Sequence, residues 1–302
     1  MIELIRNTKI DFMGKRFYAF GLTAVISILG LIAVIQVARG AANLGVDFAG
    51  GTAVQVRFEK NVPLHDIRIA LNEGGLSDFD LQDLPAENKI LIRVKKGEET
   101  LGGFSEKIIS ILSQRFLDHK PVIDYITEIG PKVSAQLRKD ALLATIFAII
   151  GLLIYVGWRF QFRFGIGATV AAFHDVLAVL GIFYITGKEI NLILVSALLM
   201  IAGYSLTDTV VVFDRIRENL RIRQKDPVNT VINQSINEVL PRTIITSLTV
   251  LFAAVALFLF GGEVIHDFAF AIILGIIVGT YSSVFVASPI ALMWGERPFT
   301  KK

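Results

Sequence analysis

Ile190 to Phe213 reads INLILVSALLMIAGYSLTDTVVVF, an apolar run whose only charge is Asp208, ending against Asp214 and Arg215. At about 1.5 Å per residue, roughly 20 such residues cross about 30 Å of hydrocarbon, so this stretch predicts a transmembrane helix. Working outward, five more runs of the same character fall at about 17–38, 140–158, 164–186, 243–261 and 268–292. The whole chain fits that reading. It has 302 residues, 53% hydrophobic and 19% charged, beyond the apolar share of a soluble domain. The net charge of +3 does not mark a nucleic-acid binder, because the cations sit in short loops beside the apolar runs. Absence of cysteine excludes a disulfide framework, thiolate metal ligands and a cysteine nucleophile. Lys15, Arg16 and the small residues Ala38, Gly40, Ala41 and Ala42 give the first run signal-peptide features. It is longer than the roughly 7–15 residues of a signal core, and a retained anchor is expected.

Loop cations orient the chain. Arg6, Lys9, Lys15, Arg16, Arg159, Arg163, Arg215, Arg217, Arg221, Arg223, Lys225, Arg297, Lys301 and Lys302 all fall on one side of a six-span topology. Lys188 alone occupies the short loops opposite. Positive-inside bias makes both termini (1–16 and 293–302) cytoplasmic and leaves residues 39–139 outside. That outer segment patterns as strand Thr52–Glu59, a helix from Pro63 to about Gly74, strands Asp78–Leu84 and Lys89–Lys95, helix Phe104–Leu117 and strand Val122–Ile129. Ile108, Ile109, Leu112 and Phe116 form the apolar face of the second helix. The order β-α-β-β-α-β predicts a small ferredoxin-like α/β domain. Residues 214–240 predict a charged helical extension of the fourth span, with Asp214–Arg217 and Glu218–Arg221 pairs. Beyond a break at Pro227 the pattern predicts an amphipathic helix suited to lying on the membrane surface, serving as a solvated connector or as a partner-docking surface.

The chemistry is expected inside the spans. Asp208 lies six residues, roughly 9 Å, within the fourth helix, where a carboxylate costs a few kcal/mol and needs an interior partner. Its expected partner is Arg242, after Pro241 at the start of the fifth span, with an arginine snorkelling to the interface as the alternative there; helix gluing through Tyr204, Ser205 or Thr207 is the structural alternative for Asp208. His174 and Asp175 in the third span point about 100° apart, so they are no i,i+4 metal pair. They read as an interhelical polar contact or, with Tyr204 and Thr207, as a polar path. His266 and Asp267 read as an exposed helix start. Gly275 and Gly279 form a GxxxG packing face on the sixth span, a candidate partner interface. In GVDFAGGT, Gly45, Asp47, Gly50 and Gly51 predict a tight turn from span to strand, with no helix beginning there and no phosphate-loop spacing. GxSxG and HExxH are absent, which lowers an enzymatic reading; no catalytic residue, cofactor or metal is expected.

Several stretches in order resemble the SecF branch of the SecD/SecF family, in the RND superfamily. They are GVDFAGGT at 45–52, TEIGPKVSAQL at 127–137, FHDV at 173–176, GYSLTDTVVVFDRIREN at 203–219, LPRTIITS at 240–247 and FGGEVIHDFAFAIILGIIVGTYSS at 260–283. Nearly the whole chain is covered, and the 203–219 motif is the most specific. The resemblance implies an auxiliary subunit of the Sec translocase in the bacterial cytoplasmic (inner) membrane. It would work with SecD, the SecYEG channel, YajC and the translocating preprotein, and use protons as coupling ion in late export. By motif position it makes Asp208 and Arg242 the proton relay. Alternatives from the residues are a proton-coupled RND-type small-molecule exporter, a passive scaffold, and an intramembrane hydrolase using Asp175 and Asp208.

Overall fold

The structure is a computed structural model and describes residues 8–76, 79–84, 88–94, 103–159 and 162–292. Arg6, Asp78, Lys95, Arg297, Lys301, Lys302 and the tail 293–302 lie outside the described residues, as does the side chain of Arg163. In chain order the elements are α1 (Arg16–Ala38), α2 (Val46–Ala49), β1 (Gly51–Arg57), α3 (Leu64–Glu73), β2 (Phe79–Leu84), β3 (Lys89–Val94), α4 (Gly103–Arg115), β4 (Val122–Ile129), α5 (Pro131–Arg159), α6 (Phe162–Ile185), α7 (Leu192–Ile222), α8 (Val228–Phe260) and α9 (Glu263–Ser282). A π-helical turn, Ser283–Ala287, joins α9 to α10 (Ser288–Leu292). Two compact units result, Leu44–Leu142 and the remainder of the chain.

The larger unit holds six helices long and apolar enough to cross a membrane, at the expected places. Helices α6, α7 and α9 form its interior, whereas α1, α5 and α8 keep most of their apolar surface outward. Phe164, Phe213, Ile216, Ile236 and Val284 share a core at one end, sealed by Phe12 and Met13 from the N-terminal segment. That segment is strapped to α8. Asn233 Oδ1 accepts from the backbone N–H groups of Phe12 and Met13 at 3.0 Å each, and Asn237 pairs with both backbone groups of Ile10. The Gly14 N–H and the Asn233 amide hold the Asp11 carboxyl below the usual carboxylate range.

One expectation for residues 214–240 is corrected. The apolar face of the stretch from Val228 is covered by protein rather than left for a membrane surface: α8 runs unbroken through Pro241, and Val231, Ile232, Ser235 and Ile236 are buried. The apolar stripe finds a protein partner in the extended end of α7. Buried Asn219 donates to Ser235 Oγ at 3.0 Å and to Glu238 at 2.8 Å. The charged extension of α7 is as expected, and its ion pairs reach beyond that stretch. Asp214 pairs with Arg159 of α5 at 2.6 Å, and Glu218 pairs with Arg215, which also reaches Glu238 at 2.6 Å.

The smaller unit is an antiparallel sheet in the order β2-β3-β1-β4, with β3 inserted between β1 and β2. This is the ferredoxin-like split βαβ. Val54, Val56, Ile90 and Ile92 alternate onto one sheet face and bury Ile67, Leu71, Ile108 and Leu112 from α3 and α4. Ile111, rather than Ile109, flanks that core. Gly50 and Gly51 adopt φ of +73° and +121°, a region that side chains with Cβ disfavour, so the expected turn is real at these two positions. A Cβ at Gly50 would also come within 3.1 Å of Ser134 Oγ. Gly45 has an ordinary φ of −65° and precedes α2, whose first turn contains Asp47. A short helix therefore does begin there, contrary to expectation.

Candidate functional site

Asp208 is where the sequence predicts it, inside α7 and 7% exposed. Its hydrogen bonding is thin. Ser247 Oγ of α8 lies 3.4 Å from Asp208 Oδ2 and 2.9 Å from Thr280 Oγ1 of α9. One hydroxyl proton on Ser247 cannot serve both oxygens, and the Thr280 hydroxyl is 2.8 Å from the Ile276 carbonyl. An ionised carboxylate offers about four lone-pair positions, so this one is left short of donors. Tyr204 OH and Thr243 Oγ1, one turn from Asp208 and Ser247 on their helices, are buried without a hydrogen bond of ordinary geometry among the described residues. A polar pocket short of partners is a place that a proton or water enters readily.

Arg242 and Thr207 do not close around Asp208. Arg242 is exposed, makes no ion pair among the described residues, and acts on Asp208 only through space. Ser247, five residues further along α8, faces the carboxylate instead. Thr207 is exposed and donates to its own helix at Gly203 O, so it is no part of an interior path.

A second polar node is tightly coordinated. Asp175, fully buried on α6, accepts from Ser205 Oγ of α7, from Ser282 Oγ of α9 at 2.8 Å and faces His174 Nδ1 at 3.0 Å. Three helices thus meet on one carboxylate. The interhelical polar contact is made by Asp175 alone, and His174 and Asp175 also touch each other through the ring's near nitrogen, which the 100° step between them does not predict. Gly279 makes room for this node: a Cβ there would lie 3.2 Å from Ser205 Cβ and 3.6 Å from Asp175 Oδ2. Gly275 likewise packs on Ile201, so the glycine face of α9 is occupied by α7 within this chain. Thr280, and the convergence of Ser205 and Ser282 on Asp175, escape sequence reading; hydroxyls three or four residues from a buried charge on neighbouring spans were the available signal. His266 and Asp267 sit near the start of α9, where Asp267 pairs with Lys188 at 2.5 Å. Among the described residues no cluster of three or more His, Cys, Asp or Glu side chains could hold a metal.

The family model described as "Protein export membrane protein SecD/SecF, C-terminal" matches residues 112–297, and the "SecD/SecF GG Motif" matches residues 42–62. A protein translocase subunit SecF of Thermodesulfovibrio yellowstonii is 56% identical over the full length of both chains. The chain belongs to the SecF family. A second SecF, from Endomicrobium trichonymphae, is 42% identical over 97% of this chain and 94% of its own. The crystal structure of SecDF from Thermus thermophilus, described as a translocon-associated membrane protein, superposes with a TM-score of 0.83 at 34% identity over 95% of this chain. The SecF-family chain spans 39% of that longer SecDF chain. The two glycines with positive φ, Gly50 and Gly51, fall within the GG motif, and both polar nodes fall within the larger match.

Proposed function

We propose that this chain is the SecF-type auxiliary subunit of the Sec translocase, using the proton-motive force with SecD to promote late preprotein translocation. Full-length SecF relatives and the SecDF likeness support the assignment to protein export and to a SecD partner. SecYEG and YajC complete the proposed assembly, in the bacterial cytoplasmic membrane. The observation that carries the coupling is Asp208: a carboxylate buried inside a membrane bundle, with Ser247 Oγ at 3.4 Å as its one side-chain hydrogen-bond contact among the described residues. One proton crossing 100 mV releases about 2.3 kcal/mol, enough to shift a two-state equilibrium of the outer domain more than tenfold. Neither an ATP site nor a catalytic residue is part of the scheme. An exporter of small molecules is less well supported, because a single compact α/β unit of this size supplies no ligand channel of its own.

The experiment is preprotein export into vesicles carrying SecYEG, SecD and this chain, with and without an imposed proton gradient. Gradient stimulation that is the same with and without the chain would overturn the proposal. Arg242→Met removes the cation acting through space on Asp208, and the gradient-dependent increment is expected to fall several-fold while SecD association is kept. Orientation has its own measurement. The turn residue Asn88 is exposed, and Asn88→Cys is expected to react with an impermeant maleimide added outside cells. Protection of that cysteine would invert the topology.

A further inference from the structure

The His174–Asp175 node is a buried ionisable pair that the coupling role of Asp208 does not use. His174 is 2% exposed, and its Nε2 has no hydrogen-bond partner among the described residues. Nδ1 faces Asp175, which is already satisfied by Ser205 and Ser282. Ser205 and Ser282 both donate to Asp175 Oδ2, so Oδ1 is left to accept from the ring, a contact that favours the Nδ1–H tautomer of neutral His174. The Nε2 lone pair is then a free proton acceptor inside the bundle. A ring used only to glue helices would engage both nitrogens, since a buried polar atom without a partner costs about 1–3 kcal/mol.

Position along the helices sets the node beside Asp208. Asp175 meets α7 at Ser205, three residues before Asp208, and α9 at Ser282, two residues after the Thr280 that shares Ser247 with Asp208, so the two nodes lie at similar depth. The node also borders the π-helical turn, which begins at Ser283 directly after Ser282. Such wide turns are frequent at functional sites.

We propose that His174, held by Asp175, is a second proton-carrying group beside Asp208 and exchanges protons with it. This rests on Asp208 being the coupling carboxylate. An incoming proton bonds to the Nε2 lone pair, and the Asp175 carboxylate offsets the imidazolium charge through Nδ1–H. Passing that proton on through water or hydroxyl groups protonates the Asp208 carboxylate and restores the neutral ring. No other bond changes. The titratable groups packed against His174 among the described residues are Asp175 on α6 and Tyr281 on α9, whose ring centre is 6.4 Å away. Tyr281 OH donates to Ala19 O of α1 at 2.9 Å and lies 3.3 Å from Thr23 Oγ1. From α7 the node meets Ser205, with Asp208 beyond it; the π-helical turn, SVFVA, carries no titratable group.

The test uses the full chain with SecD in lipid. Nitrogen NMR of His174 across a pH titration is expected to show Nε2 gaining a proton while Nδ1 stays protonated. A ring whose protonation stays constant throughout overturns the proposal. His174→Asn keeps a donor toward Asp175 but cannot titrate. Gradient-driven proton uptake is expected to fall about 10²-fold and to lose its dependence on outer pH. An outer-pH profile identical to the parent's also overturns the proposal, and His174→Gln is read in the same way if the Asn variant does not insert. Failure of the two readings is distinguishable. Unchanged export in Asp208→Asn removes the coupling role of Asp208 and leaves the His174 titration standing, whereas a silent His174 removes only the exchange step.

Discussion

Asp208→Asn is expected to abolish the gradient-dependent part of preprotein export and to leave the gradient-independent part at its parental level. Asparagine has nearly the shape of aspartate and still accepts from Ser247 Oγ, so the contact among α7, α8 and α9 survives. What disappears is the ability to gain and lose a proton. Because the parent carboxylate is poor in donors, removing its charge leaves few hydrogen bonds unmade, and stability should change by no more than about 1 kcal/mol. A structural role predicts the opposite pattern, with both components of export falling together as the bundle loosens. The measurement is export into vesicles with and without the gradient, beside a thermal melt of the purified chain. Parental gradient stimulation in the Asn variant would remove Asp208 from the coupling mechanism.

The elements of this fold were largely legible in the sequence, because their signals are local. Apolar runs long enough for hydrocarbon placed six spans, and alternation in TAVQVRFE, with further strand-length runs and helical spacing between, placed the split βαβ. Depth along a span was legible too, since it needs only a count of residues from charged ends, and Asp208 is buried where that count put it. Rotation about the helix axis was not. A step of about 100° per residue turns Thr207 outward and Asp208 inward, and turns Arg242 outward where Ser247 points in. Partner choice was illegible for a related reason. The stripe Val231, Ile232, Ser235 and Ile236 fits a membrane surface or a neighbouring helix equally well. Only the buried Asn219–Ser235 pair decides for the helix. The GxxxG of α9 announced a close approach, but not that α7 of the same chain would make it.

Gly30→Leu is expected to cause a large structural loss in the membrane unit, at a position with no motif to mark it. At the crossing of α1 and α6, Gly30 packs directly on the Leu177 backbone, and a Cβ at Gly181 would lie 2.9 Å from Gly30 N. Two glycines thus bring two backbones into contact, which is how membrane helices associate where lipid supplies no hydrophobic drive. A leucine cannot be absorbed by a flexible side chain moving aside, because the atoms it meets are main chain. The helices must separate, or Gly30 must rotate out and expose Ala33, now fully buried on α1. Overpacking typically costs about 1–3 kcal/mol, and a clash with backbone belongs at or above the top of that range. Gly21→Leu is the internal control. It lies on the same helix, is exposed, and has nothing within 4 Å of its would-be Cβ. Its effect should stay within about 0.5 kcal/mol. Melting midpoints in detergent and the yield of monodisperse protein read both variants, and equal behaviour of the two would show that the α1–α6 crossing is not held by close backbone packing.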